Sequence, residues 1–228
     1  MKGIKHIFFD LDHTLWDYDR SAHETLSEIY THQELSKSGL SLKKFVNTFY
    51  EVNNKLWVKY NDGLIDREYI KTRRFNEVFS ASGLDVIKSE EASSYFLNNC
   101  SKKPYLMDDA LTALHYLTNK YQLHIITNGF LDAQNRKLSH SGIEKFFKVM
   151  ITSECSDSRK PSPGIFEYSL SEAGATKAES IMIGDNPRTD IQGAKDFGMK
   201  TVFYDPSGRK KSLADFTIQS HMELLKLL

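Results

Sequence analysis

Apolar and polar positions fall into two rhythms along the chain. Ile4 and the run Ile7, Phe8, Phe9 predict a short first strand buried on both faces, closed by Asp10. From about residue 17 to 101 nothing reads as a strand and the periodicity is helical. Phe45, Phe49, Val52, Leu56 and Tyr60 recur at spacings of three and four, marking one apolar helix face that Asn61-Asp62-Gly63 ends. Further helices are predicted over about 21–32, 66–80 and 89–99, with Ser82-Gly83 stopping the second. From Tyr105 strands alternate with helices. A helix is expected over about 107–120, a strand over 123–126, a helix to about 141 and a strand over 149–151. Then come a helix over 163–173, a strand over 180–183 and a helix over 188–197 with Gly198 as its stop. Strands over 201–204 and 216–218 and a helix over 222–228 finish the chain. This alternation predicts the α/β class, a Rossmann-like, mainly parallel sheet with right-handed crossovers and helices on both faces. The domains are expected at 1–16 with 102–228 for the α/β core, and at 17–101 for an inserted all-helical unit.

The 228 residues are ample for such a core with a smaller insertion. Lys+Arg and Asp+Glu both number 30, and this balance argues against an electrostatic nucleic-acid binder or a polybasic membrane anchor. Cys100 and Cys155 have no metal-type spacing and read as ordinary thiols of a reducing compartment. Met1-Lys2-Gly3 leads into a short strand rather than a signal-type apolar region, and no apolar run approaches the roughly 20 residues of a membrane span. A cytoplasmic protein without a membrane partner is the expectation. Abundant Phe and Tyr argue against disorder, and the oligomeric state is left open.

Candidate chemistry gathers at strand ends. In a parallel sheet the C-terminal tips share one edge, where open α/β folds bind ligands. The first strand ends in Asp10, Asp12 and Thr14, the second in Thr127 and Asn128, and a later one in Asp185 with Asp190 beyond. Lys160-Pro161 sits in a loop just before a helix. Asp10-x-Asp12-x-Thr14 begins like a calcium loop, but Leu15 and Ser21 stand where that loop needs Gly and Glu. Clustered carboxylates raise one another's pKa, so a divalent cation and Lys160 are expected as relief, and oxygen-only ligands suit Mg²⁺. Such a set can transfer a phosphoryl group. One carboxylate attacks phosphorus to form an aspartyl-phosphate, while the cation and Lys160 neutralise charge. Thr127 and Asn128 donate to phosphate oxygens. A second carboxylate protonates the leaving alkoxide and then deprotonates water.

Asp-x-Asp-x-Thr after a strand, then Thr-Asn, Lys-Pro and Gly-Asp-x-x-x-x-Asp, in this order over the whole core, resembles the haloacid dehalogenase superfamily. The resemblance implies Asp10 as nucleophile and metal ligand, and Asp12 as general acid/base whose backbone carbonyl also faces Mg²⁺. It implies Thr127 and Asn128 as phosphate-binding, Lys160 as the residue orienting nucleophile and phosphate, and Asp185 as a metal ligand. Asp190 supports the metal site and Thr14 braces the loop. Dehalogenases of the superfamily lack the second Asp of the first motif, so Asp12 argues for phosphoryl chemistry. Asp157 stands where relatives commonly have Gly; Asp tolerates a left-handed backbone better than most residues, which would preserve the loop.

The helical insert resembles the superfamily's type 1 cap. Its stretch Leu56-Trp57-Val58-Lys59-Tyr60-Asn61-Asp62-Gly63-Leu64-Ile65 with Arg74-Phe75, and Ile125-Ile126-Thr127-Asn128-Gly129-Phe130 in the core, resemble pyrimidine 5'-nucleotidases of the superfamily. That implies hydrolysis of pyrimidine nucleoside monophosphates, a small-molecule partner and not a nucleic-acid polymer. The alternatives are a phosphatase of phosphoglycolate or a sugar phosphate, a phosphomutase, and a non-catalytic binding protein. Trp57, one position off the apolar stripe, either stacks on a base or packs; Tyr60 is a substrate candidate that also fits the core. Arg73 and Arg74 are adjacent and cannot share a helix face. Arg209-Lys210-Lys211 reads as an exposed loop. Alternation turns His13 away from Asp10 and Asp12.

Overall fold

The computed structural model describes residues 3–228, which divide into two compact units. One holds the start of the chain through Tyr18 and Pro104–Leu228; the other is Asp19–Lys103.

The first unit carries a six-stranded, wholly parallel sheet in the order β3-β2-β1-β4-β5-β6. The strands are β1 (His6–Phe9), β2 (Gln122–Thr127), β3 (Phe147–Thr152), β4 (Ser180–Gly184), β5 (Lys200–Tyr204) and β6 (Phe216–Ile218). β1 lies at the centre because its four residues are all buried, as an uninterrupted apolar run between two neighbours requires. Phe9 pairs with Ile125 of β2 and Ile183 of β4, so the chain leaves all three strands at one level. One face of the sheet packs Phe8, Ile126, Ile151 and Met182 on Ile165, Phe166, Leu170 and Met199.

The connecting helices are shorter or less regular than the periodicity suggests. The helix predicted over 107–120 is Ala110–Leu117, because Asp109 takes a left-handed φ of 62° just ahead of it. The helix predicted over 188–197 is a π-helical turn, Pro187–Gln192, followed by a short α segment, Gly193–Phe197. The C-terminal helix is a 3₁₀ turn, His221–Glu223, followed by Leu224–Leu227. Leu131–His140 and Pro163–Ala173 follow β2 and the Lys160 loop. Pro163 opens the latter, where its missing N–H costs nothing, and left-handed Gly174 closes it.

The second unit is entirely helical. Its main helices are α1 (Tyr18–His32), α2 (Leu42–Asn61), α3 (Arg67–Ala81) and α4 (Ser89–Asn99). In chain order the helices above are then α5 (Ala110–Leu117), α6 (Leu131–His140), α7 (Pro163–Ala173), α8 (Gly193–Phe197) and α9 (Leu224–Leu227). Ser41 caps α2 by accepting from Lys44 N, and Asp66 caps α3 by accepting from Tyr69 N at 2.7 Å. Phe45, Phe49, Val52, Leu56 and Tyr60 are buried, as their stripe predicts. Arg73 is exposed while Arg74 is buried, its guanidinium over the rings of Phe49, Phe75 and Phe96 and bonded to Asn53 Oδ1 at 3.2 Å. Among the described residues no helix is long and apolar enough to cross a membrane.

Candidate active site

The tips of β1, β2 and β4 bring two acidic clusters together within the first unit. The first surrounds Lys160, which is buried with its ammonium 2.5 Å from Asp10 Oδ1, 2.7 Å from Asp190 Oδ1 and 2.8 Å from the Ile126 carbonyl. Burial alone would strip its proton; the Asp10 and Asp190 carboxylates outweigh that and hold it firmly charged. For Asp10, burial comes first and pushes its proton affinity well up; Lys160 opposes this, and Asp190 and Asp185 reinforce it. Asp185 is likewise raised, by burial and then by Asp190. Thr14, fully buried, donates to Asp10 Oδ2 at a long 3.5 Å.

Local backbone choices place these groups. A Cβ on Gly184 would lie 2.3 Å from Asp190 Oδ2, so only glycine lets Asp190 sit against the end of β4. Asp190 Oδ2 accepts from Asn186 N at 3.0 Å. The Asn128 carboxamide clasps the main chain of Lys160, donating to its carbonyl and accepting from its N–H, both at 2.8 Å. Asn128 therefore positions the lysine, a task its spacing did not reveal. Asp157 adopts the left-handed conformation its identity allows, with φ 48°. His13 also has positive φ, 63°, so strand alternation does not govern it; its ring lies 5.0 Å from that of Tyr18.

The second cluster surrounds Asp12. Lys137 Nζ lies 2.5 Å from Asp12 Oδ1, and Gln134 Nε2 lies 2.9 Å from Asp12 Oδ2. Burial pushes the Asp12 carboxyl up, but Lys137 and Gln134 overcome this and hold it below the usual range. Gln134 Nε2 also donates to Thr127 Oγ1 at 2.7 Å, and that oxygen accepts from Gly129 N at 3.0 Å. The hydroxyl, accepting twice, keeps its own proton for a further acceptor. Sequence reasoning missed Gln134 and Lys137. Their signal was spacing: three apart on the first helix after a candidate strand tip, they share a face. It also missed Lys210. The Arg209-Lys210-Lys211 loop is exposed as expected, but the Lys210 ammonium reaches Asp185 Oδ2 at 3.4 Å.

Asp10, Asp185 and Asp190 each present a carboxylate oxygen within 4.8 Å of the others. An all-oxygen, acidic donor set of this kind, with Asp10 and Asp190 buried and Asp185 half-buried, fits a hard divalent cation. The Asp12 side chain is instead turned to Lys137 and Gln134. Trp57 and Tyr60 lie in the helical unit, ring centroids 5.4 Å apart and edge to face; Tyr60 is buried and Trp57 half-buried.

These elements define a known class. A model of haloacid dehalogenase-like hydrolases matches residues 4–198, and the chain belongs to that family. With Asp12 present at the second acidic position, it is a phosphoric monoester hydrolase within it. The chain is 27% identical to pyrimidine 5'-nucleotidase PynA of Streptococcus pneumoniae over 98% of its length and 94% of the relative's. It is 28% identical to pyrimidine 5'-nucleotidase YjjG of Escherichia coli, covering 97% and 96%. The crystal structure of the HAD-hydrolase YfnB of Bacillus subtilis, described as bound to magnesium, shares the fold with a TM-score of 0.91 at 23% identity, covering 100% and 99%.

Proposed function

We propose that the chain is a Mg²⁺-dependent phosphatase acting through an aspartyl-phosphate on Asp10, with pyrimidine nucleoside 5'-monophosphates as its substrates. The observation that carries this is Asp10 held by buried Lys160 among three carboxylates, with the second acid, Asp12, two residues away and separately held. The two pyrimidine 5'-nucleotidases support the substrate class. Asp10, Asp185 and the Asp12 backbone carbonyl are the proposed metal ligands, with Asp190 as support. The cation's contribution is to neutralise the transferring group.

The chain's own residues do the rest. Asp10 attacks phosphorus and the P–O bond to the leaving alkoxide breaks. Lys160 stands beside the attacking oxygen and offsets the charge gathering there. Thr127 donates its remaining proton to a phosphate oxygen, and Asn128, the second proposed phosphate-binding residue, also keeps Lys160 in place. Asp12 enters the step in its protonated form, the one Lys137 and Gln134 disfavour, and gives that proton to the alkoxide; the carboxylate left behind then takes a proton from the water that releases phosphate from Asp10, which restores it. The helical unit is the proposed cap, with Trp57 and Tyr60 as substrate-selecting residues. Among the described residues Cys100 and Cys155 form no disulfide, which fits a cytoplasmic setting.

The test is phosphate release, with and without Mg²⁺, from pyrimidine and purine nucleoside monophosphates, phosphoglycolate and sugar phosphates. Metal-dependent preference for the pyrimidines is expected, and Asp10→Asn abolishes it. Preference for another ester discards the substrate class; full activity of Asp10→Asn discards the mechanism.

A further inference from the structure

Asp12 is the one group in the proposed reaction that must act twice, on the leaving alkoxide and then on water. Both of its oxygens are engaged by a single face of α6. Lys137 takes Oδ1 and Gln134, one turn earlier, takes Oδ2. Neither partner is a loose surface group. Gln134 is fully buried and Lys137 nearly so, its ammonium 4.6 Å from the centre of the buried Trp16 ring. Trp16 belongs to the same loop as Asp12, its N–H bonded to the Leu11 carbonyl. The ammonium is thus held on one side by an aromatic face and on the other by the carboxylate.

Gln134 has a further reach. The same Nε2 donates to Thr127 Oγ1, so one side chain ties the acid/base to the hydroxyl at the tip of β2. Its seat is tight. A Cβ on Gly129 would come within 2.2 Å of Gln134 Nε2 and 2.5 Å of its Cδ, so only glycine at 129 admits the amide there. Lys160 contacts Asp10 and Asp190, and Lys137 contacts Asp12, so Asp10 and Asp12 are held by different cations.

We infer that Lys137 and Gln134 are positioning residues for Asp12: a two-point clamp on α6 that fixes the direction from which its carboxyl meets the leaving-group oxygen. The inference rests on the reading of Asp12 as the acid/base. It predicts a leaving-group signature. An alkyl phosphate leaves as a strongly basic alkoxide and needs the proton; p-nitrophenyl phosphate leaves as a stable phenolate and does not. Aim therefore matters for the first ester and little for the second.

The experiment measures kcat/KM, which excludes the later hydrolysis of the phosphoenzyme, for p-nitrophenyl phosphate and for the best alkyl ester of the panel. With each value taken at the optimum of its own pH profile, because losing the ammonium also eases protonation of Asp12, Lys137→Met is expected to lower the alkyl value about 10²-fold and the aryl value less than about 5-fold, in line with the usual worth of general acid catalysis. Lys137→Arg, which keeps the charge, recovers most of the alkyl activity. Gly129→Ala unseats Gln134 without touching Lys137, shifts selectivity in the same direction, and serves if Lys137→Met does not fold. Asp12→Asn is the reference. If it is selective against the alkyl ester and both Lys137→Met and Gly129→Ala lower the two esters equally, or not at all, the clamp is overturned while the acid/base reading stands. If Asp12→Asn shows no selectivity, the acid/base reading falls and takes the clamp with it.

Discussion

The central strands carry an acid-sensitive pair well away from the catalytic tips. His6 on β1 and His124 on β2 are both buried, with His6 Nδ1 3.1 Å from His124 Nε2. The His124 ring stacks on Phe8 at 4.6 Å. That contact uses one proton between two neutral rings, and a second proton would place two cations side by side. Burial first, and then His6, lower the His124 pKa from 6.5 to about 4. The unfolded chain then binds the proton more readily than the folded one. Stability from this group is complete above pH 6.5 and drains away as pH falls toward 4. Linkage between those two values gives a loss of about 2 kcal/mol on going from pH 7 to pH 5. The assay is urea unfolding of the wild type and His124→Phe at both pH values. Other titrating groups cancel in the double difference, so the variant should lose about 2 kcal/mol less than the wild type. An equal pH dependence in the two proteins would refute the assignment.

Three further outcomes are expected. Lys160→Met leaves Asp10 and Asp190 buried without their cation; it should cost about 3–5 kcal/mol in metal-free urea unfolding and lower kcat at least about 10²-fold. Gly193→Ala would put a Cβ 2.8 Å from the Pro161 backbone, which cannot swing aside as a side chain would. It should destabilise by about 1–3 kcal/mol, read by thermal unfolding, and lower activity by displacing Lys160. Arg74→Leu removes the guanidinium from three rings and Asn53 in the helical unit, and thermal unfolding should show a loss of about 2–4 kcal/mol.

The sheet was readable because its strands are short apolar runs bounded by polar residues, and the helical stripe of α2 because its apolar positions repeat every three or four residues. The positions of Asp10, Thr127 and Asp185 followed from one rule, that parallel strands share an edge. What escaped was set by tertiary contact. The π-helical turn at Pro187–Gln192 follows no periodicity: Asp190 must reach Lys160 and Asn186 at once. Asn128 reads as a phosphate donor, and no spacing shows that its carboxamide also makes two bonds to the Lys160 main chain. Gln134 and Lys137 look like an ordinary polar face of α6, and only the position of Asp12 turns that face into part of the site.

The central place of β1 also sets a timetable for the growing chain. Phe9 pairs with Ile125 and Ile183, so β1 leaves the ribosome well before either of its neighbours. At ordinary translation rates the interval before β4 emerges is on the order of 10–35 s. During it the greasy run Ile7-Phe8-Phe9 has no sheet to enter, while Asp19–Lys103 is already synthesised and has a compact unit of its own to form. The helical unit can therefore be complete before its host exists, and the Ile7-Phe8-Phe9 run is the segment with most need of a chaperone.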